Sequence, residues 1–398
     1  MHTPLAGLKI LDASRVLAGP FCGQLLADLG AEVIKLERPG QGDDTRSWGP
    51  PFHDKQMSAY YLSANRNKRA FALDLGKPDG LKLFHDLLAK CDVLIENFRT
   101  DSAAKMGLSP KELLARHPRL VACSITGFGH TGPMSTEPGY DLAIQALSGL
   151  MSVTGPVEGP PSKVGVAMAD ILTGMYAAVG ILAALRAREQ SGHGYHIDLA
   201  LLDCAIAAQV NLAQAYLLTG NIPPRPGNAH FQIVPYAVFQ ASDGWIVLNV
   251  GNDSQWQHFC QAAEATQLAL DGRFATNPLR VLNREVLTSI LNAMFRARTV
   301  AEWCERLERA RVPHAPINDY SAVFANDQVL SRGMKINVTD PQGKPVNLIG
   351  SPFHLTGAQL PSPTFPPRLG EHTDVILGEY LGLDAKQLEE LRKAGVVG

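Results

Sequence analysis

A surplus of positive charge is missing from this chain. Lys and Arg number 36 against 38 Asp and Glu, a formal charge of −2. That balance excludes a general nucleic-acid binder, whose phosphate partner demands a clear basic excess. Charge of either sign is sparse, at 19% of the 398 residues, while 45% are hydrophobic. A charged fraction under the usual ~25% excludes a disordered or fibrous chain and suits a compact enzyme of two or three domains. Cysteine pairs are missing as well. Cys22, Cys91, Cys123, Cys204, Cys260 and Cys304 are scattered singly, with no CxxC or zinc spacing, so reduced thiols in a cytoplasmic protein are expected. The most apolar run, Ile171–Leu185, has 15 residues between Asp170 and Arg186. It is too short for a bilayer span and reads as a buried helix, so no membrane partner is expected. Residues 1–11 lack a basic segment followed by an apolar one, so no signal peptide is read. No Gly-x-Ser-x-Gly elbow, His-Glu-x-x-His or Walker loop occurs. The pair His193 and His196 reads as structural, so no metal is expected.

What is present is a strand–helix alternation. Leu8–Asp12 reads as a buried strand, Phe21–Leu29 as a helix capped by Gly30, and Ala31–Glu37 as a second strand. Strands over Ala70–Leu75, Asp92–Phe98 and Leu120–Thr126 follow. Helices over Pro78–Lys90 and Ser109–Arg116, the latter with Ser109 as N-cap, separate them. This predicts an α/β fold with a doubly wound parallel sheet. Helices over Gly139–Met151, Asp170–Arg188 and Leu199–Leu218 come next, then the Pro-rich Thr219–Gly227. Two strands around Ser242-Asp243-Gly244 and helices near 254–265, 284–295 and 300–310 predict a smaller α+β domain. A helix near Asp374–Leu381 closes the chain. The expected division is 1–199 with 331–398 as the large domain, 200–226 as a connection, and 227–330 as the small domain.

Several residues invite chemistry. Gly127-Phe-Gly129-His-Thr-Gly132 follows a strand, but Pro133 and Pro138 stand where a dinucleotide-binding helix must begin, so it reads as a glycine-rich loop. Glu37 reads as a solvated neighbour of Arg38. Arg15, Arg38, Arg46, Arg66, Lys68 and Arg69 fall at strand ends, where α/β sheets collect ligands, and Arg forks suit phosphate oxygens. Asp170, at the mouth of an apolar helix, reads as an N-cap. A carboxylate there stays poised for nucleophilic attack as well.

These stretches converge on a family. Asp12-Ala-Ser-Arg-Val-Leu-Ala-Gly-Pro20, Gly30-Ala-Glu-Val-Ile-Lys-Leu-Glu-Arg38, Asn65-Arg-Asn-Lys68, Glu96-Asn-Phe98, Ser124-Ile-Thr-Gly127, Gly139-Tyr-Asp141, Ala169-Asp170 with Thr173-Gly174, and Gly370-Glu-His-Thr373 resemble class III CoA-transferases in order and spacing. That is the formyl-CoA and carnitine CoA-transferase type. Trp48-Gly-Pro-Pro-Phe52, Tyr60-Tyr-Leu-Ser63 and Gly165-Val-Ala-Met168 are most similar to its succinate–hydroxymethylglutarate group. The resemblance implies a Rossmann-like large domain built from both chain ends, a small domain, and two ring-like subunits interlocked as a homodimer. It implies Asp170 as nucleophile. Coenzyme A would lie along Val16, Leu17, Ala18, Arg38, Leu73, Asn97, Phe98, Lys105, Met106 and Tyr140, as a substrate and not a permanently bound cofactor. Arg46, Arg66, Gly251 and Asn252 are expected near the acid substrate, the two arginines as spare cations. A racemase of the same fold needs a second base, and Tyr140 stands where that group has His. A non-catalytic CoA-binding module would leave Asp170 as a cap only.

Overall fold

Aliphatic side chains alternate between two covered faces in the first strand, Lys9–Asp12 (β1). Ile10 enters one apolar cluster and Leu11 another, as expected of a strand covered on both faces. In the computed structural model, which describes residues 2–55 and 57–398, β1 lies inside a parallel sheet. The other strands are Glu32–Glu37 (β2), Lys68–Ala72 (β3), Val93–Glu96 (β4), Val121–Thr126 (β5) and Tyr195–Ala200 (β6). Their order is β3-β2-β1-β4-β5-β6, every pair parallel. The order reverses between β1 and β4. In such sheets the crevice beyond the carboxyl ends at the reversal is where ligands bind.

Helices cover both faces. Ala18–Asp28 (α1) and Met168–Ser191 (α7) supply Cys22, Leu26, Ala177 and Ile181 to one cluster. The other face is covered by Pro78–Leu88 (α3), with Leu83, Phe84, Leu87 and Leu88 buried at helical spacing behind Pro78, and by Thr373–Leu381 through Ile376 and Leu377. Short helices Ala59–Ser63 (α2), Thr100–Lys105 (α4), Pro110–Arg116 (α5) and Asp141–Leu147 (α6) lie between strands. By length and composition α7, with 24 residues, is long enough to cross a membrane. Its Ala169, Ala177, Ile181 and Ala184 are core residues. It packs on α1 so closely that a Cβ on Gly174 would lie 2.6 Å from the Ala18 carbonyl oxygen.

The chain forms two compact units. One holds the described residues up to Leu150, Val164–Gly220 and Gln328–Gly398; the other holds Met151–Lys163 and Asn221–Asp327. In the second, an antiparallel sheet of Tyr236–Gln240 (β7), Trp245–Asn249 (β8) and His314–Pro316 (β9) packs on helices Asp253–Ala262 (α10), Arg284–Phe295 (α11) and Val300–Arg309 (α12). Trp256, Phe259, Phe295 and Trp303 fill its core.

Several expectations need correction. The single helix over Leu199–Leu218 is the end of β6 and two helices, Leu201–Ala207 (α8) and Val210–Thr219 (α9), bent by 79°; residues 200–220 therefore belong to the first unit. Ser109 is the N-cap residue of α5 as expected, but its hydroxyl bonds the Glu112 carboxylate and not a backbone N–H. A further helix, Ala385–Lys393, follows the expected last one, opened by an Asp384–Gln387 capping box. Glu37 is not solvated: it is buried and accepts two bonds from Arg46 at 2.6 and 2.7 Å.

Candidate active site

Two adjoining cavities open at the β1/β4 reversal. The first, about 420 Å³, is lined by Arg15, Arg38, Leu73, Phe98, Arg99, Lys105 and Met106 among others. The second, about 330 Å³, is lined by Arg15, Val16, Ala18, Asn97, Phe98, Arg99, Tyr140, Asp141 and Asp170 among others. Arg15, Phe98 and Arg99 wall both. Nine of the ten residues expected along coenzyme A thus border this pair of cavities. Leu17 does not; it is the N-cap residue of α1.

The wall after β1 is built by side chains gripping main chain. The Asn97 amide oxygen accepts from Arg15 N at 2.9 Å, and its NH₂ donates to Arg15 O at 2.8 Å. Lys35 Nζ donates to Ser14 O at 3.1 Å and to Asp43 Oδ2 at 2.9 Å. Both Asp43 oxygens accept from Val16 N at 3.3 Å. Lys35 and Asp43 are entirely buried. Burial alone would raise the Asp43 carboxyl, but Lys35 and donors from Thr45 outweigh it and hold it at about 2.

The opposite wall depends on two glycines. A Cβ on Gly127 would lie 2.5 Å from Gly139 Cα, and one on Gly139 would lie 2.4 Å from Gly127 Cα. Only this close crossing seats the start of α6 against the end of β5. The expected glycine-rich loop is therefore a packing device, and the helix after it opens at Asp141. Asp141 is the cap acceptor of α7. Its Oδ1 accepts from Ala169 N at 2.9 Å, and its Oδ2 accepts from Gln145 at 2.7 Å.

Asp170 corrects the N-cap expectation. It lies in the first turn of α7, whose N-cap residue is Ala167. Its carboxylate has no hydrogen-bond partner among the described residues. Burial first, and then the charge of Asp141, push it up to about 7. Tyr60, in α2, feels both carboxylates: burial and then the charges of Asp170 and Asp141 raise its hydroxyl to about 12. Trp48 meets the Tyr60 ring edge-on at 5.4 Å. Asp141 and Tyr60 were not singled out from sequence as site residues. The usable signal for Asp141 was a carboxylate directly after a Gly-Tyr turn and before an apolar run.

Not every expected cation reaches the cavities. Arg46 is buried against Glu37 and bonds Tyr61 Oη at 2.7 Å and Pro367 O at 3.0 Å. Arg66 forks onto Asp28 and donates to Ile349 O at 2.9 Å. Both are structural ion pairs and not the spare cations expected. Lys68 is buried on Asp12 at 2.9 Å, and Arg69 spans Glu32 and Glu379. The cations that do line the first cavity are Arg15, Arg38, Arg99 and Lys105, all exposed. Arg15 holds only the half-exposed Asp44, at 3.1 Å. Gly251 and Asn252 lie in the second unit, where Asn252 caps α10 by accepting from Gln255 N at 2.9 Å. Next to the sheet, His196 Nε2 and Ser124 Oγ are hydrogen-bonded at 2.9 Å, and no group of three metal-ligating side chains occurs among the described residues.

A model of CoA-transferase family III matches residues 5–373. The succinyl-CoA:glutarate CoA-transferase of Homo sapiens is 43% identical over 394 residues, covering 99% of this chain and 90% of that protein. The succinate–glutarate CoA-transferase of Agrobacterium fabrum is 42% identical, covering 94% and 95%. A solved CAIB/BAIF family protein from Brucella suis is 44% identical with a TM-score of 0.86, covering 96% of this chain and all of that one.

Proposed function

The chain belongs to the family III CoA-transferases, and from that premise we propose that it moves coenzyme A from succinyl-CoA or a similar donor to a short dicarboxylic acid through Asp170. One observation carries the role of Asp170. Asp141 takes the capping bond of α7 and leaves the Asp170 carboxylate unpartnered at the cavity wall. A carboxylate that does no structural work, and whose raised pKa makes it a better nucleophile, is suited to covalent catalysis.

An Asp170 oxygen attacks the donor thioester carbonyl; the C–S bond breaks, giving an aspartyl–acyl anhydride and CoA thiolate. The thiolate attacks the aspartyl carbonyl and expels the donor acid as carboxylate, leaving an aspartyl-CoA thioester. The acceptor carboxylate attacks that carbonyl and expels the thiolate. The thiolate then attacks the acceptor carbonyl of the new anhydride, releasing acyl-CoA and free Asp170. Walls that exclude water protect the anhydrides from hydrolysis. Arg15, Arg38 and Lys105 offer the positive charge that the CoA phosphates require, along with the other expected contacts at the cavity walls, Val16, Ala18, Leu73, Phe98, Met106 and Tyr140. No resident cofactor enters this scheme.

The active species in this reading is an interlocked homodimer. Its support is a run of uncovered apolar side chains on α6 to α9, with Leu142, Val179, Val210, Leu217 and Leu218 each more than half exposed. Six free cysteines suit a reducing cytoplasm. The acceptor is tested with acyl-CoA donors against mono- and dicarboxylates of graded length. Succinate or glutarate turning over far faster than acetate is expected; equal rates remove the dicarboxylate assignment. Threaded rings should stay dimeric on dilution, and folded, active monomer in sedimentation at nanomolar concentration refutes them.

A further inference from the structure

Ser14, Arg15 and Val16 leave β1 without the usual main-chain partners. Their hydrogen bonds go instead to four side chains. Ser14 N donates to Asp12 Oδ1 at 3.1 Å and Ser14 O accepts from Lys35. Arg15 N and O are both taken by Asn97, and Val16 N by Asp43. Val16 has φ +72°, the left-handed region that a β-branched residue occupies only when its surroundings force it. Asn97 comes from the end of β4 and Asp43 from the loop after β2, the two strands that flank β1. One N–H and one lone pair of the Asn97 amide are spent on Arg15, which fixes the side chain against the main chain.

We propose that Asn97 and Asp43 are positioning residues for thioester binding: gripping the Ser14–Val16 main chain from both flanking strands, they hold the wall shared by the two cavities in a strained conformation that fits the ligand. This rests on the CoA-transfer reading. Preorganisation of this kind removes an ordering cost that the ligand would otherwise bear. It assigns Asn97 an indirect role in place of the direct CoA contact that family resemblance implies.

Two variants separate the roles. Asn97→Asp keeps the size and the acceptor for Arg15 N, but sets a carboxylate oxygen against Arg15 O. Asp43→Asn keeps an acceptor and loses the charge that binds Lys35. In each, the KM for the CoA thioester should rise about tenfold, the equivalent of one lost hydrogen bond, with kcat within about twofold. Amide hydrogen exchange of the ligand-free full-length protein supplies the second readout. The peptide covering Ser14–Leu17 should exchange faster in both variants, which loss of a direct ligand contact does not cause. A third test uses the strain: Gly accepts φ +72° freely, so Asp43→Asn should raise KM less than about threefold in a Val16→Gly background. Unchanged exchange in folded Asn97→Asp, or an equal Asp43→Asn effect in both backgrounds, overturns the proposal. Should Asp43→Asn not fold, Asn97→Asp decides alone. If wild type exchanges no CoA while the Ser14–Leu17 peptide still responds, the function reading has failed and the main-chain clamp has not.

Discussion

Asp43 and Asp170 are carboxylates of the same unit held in opposite states. Asp43 sits in a saturated network, with Lys35 on one oxygen and donors from Thr45 and Val16 on the pair. Its charge is fully compensated and its carboxyl held at about 2. Asp170, at the start of α7, has no donor and a like charge beside it, and stands at about 7. The network after β1 and β2 shows what a buried charge needs in order to be scaffold. The α7 terminus shows what is left over for chemistry. The same contrast divides the arginines: Arg46 and Arg66 are buried on Glu37 and Asp28, while Arg15 is exposed and holds one partly exposed carboxylate.

The sharpest break in this comparison is Asp170→Ala. It should cut CoA transfer by at least about a thousandfold, because the neighbouring carboxylate, Asp141, is spent on Ala169 N and Gln145. The fold should survive, since α7 is capped by Asp141. Hydroxylamine should trap a hydroxamate on Asp170 in acyl-CoA-treated wild type and none in the variant. A variant retaining more than a few per cent of the rate removes the covalent mechanism. The same group sets the pH profile. The reacting form is the carboxylate, so kcat/KM should climb as pH rises through about 7 and level off above it; a flat profile from about pH 5 to 8 contradicts that.

On the saturated side the expected losses are in stability. Arg46→Ala leaves Glu37 buried without its counter-ion, with only the Asp43 N–H still donating to it, and should cost about 3–5 kcal/mol in denaturant unfolding. Arg15→Ala removes an exposed pair and should cost under about 1 kcal/mol. Equal losses would erase the distinction drawn between them. Gly174→Ala falls between the two: a Cβ set against the Ala18 carbonyl should cost about 1–3 kcal/mol through a forced shift of α7 on α1.

Much of the sheet was legible because strand and helix periods act over neighbouring residues. β1, β2 and β5, α3 with its Pro78, and the Arg284–Phe295 helix stand within a few residues of where the pattern puts them. What could not be read depends on distant partners. Arg46 meets Glu37 across a turn, and Arg66 meets Asp28 from another element; a loop arginine carries no local sign of whether its carboxylate is protein or ligand. The bend after Ala207 falls inside a largely apolar run, where periodicity gives little signal. Asp170 looked like a cap because the residue that does cap α7, Asp141, is brought to it only by the Gly127–Gly139 crossing.

A modest, pH-dependent effect tests that last point most directly. As a cap, Asp170 would stabilise the helix, and Asp170→Asn would be neutral or harmful at every pH. As an uncompensated carboxylate it does the reverse. Its folded value of about 7 lies above the ordinary 3.8, so between those values the folded state holds a proton that the unfolded state has lost. Stability therefore falls as pH rises through that window, and the full penalty is present above about 7. The Asn amide has nearly the same shape and no charge to desolvate. Asp170→Asn should match wild type near pH 4, then gain on it with rising pH, reaching about 1–2 kcal/mol near pH 8 after allowance for solvent at this partly exposed group. Thermal unfolding at the two pH values measures the difference. A loss at pH 8 would mean that Asp170 belongs with Asp43 as scaffold.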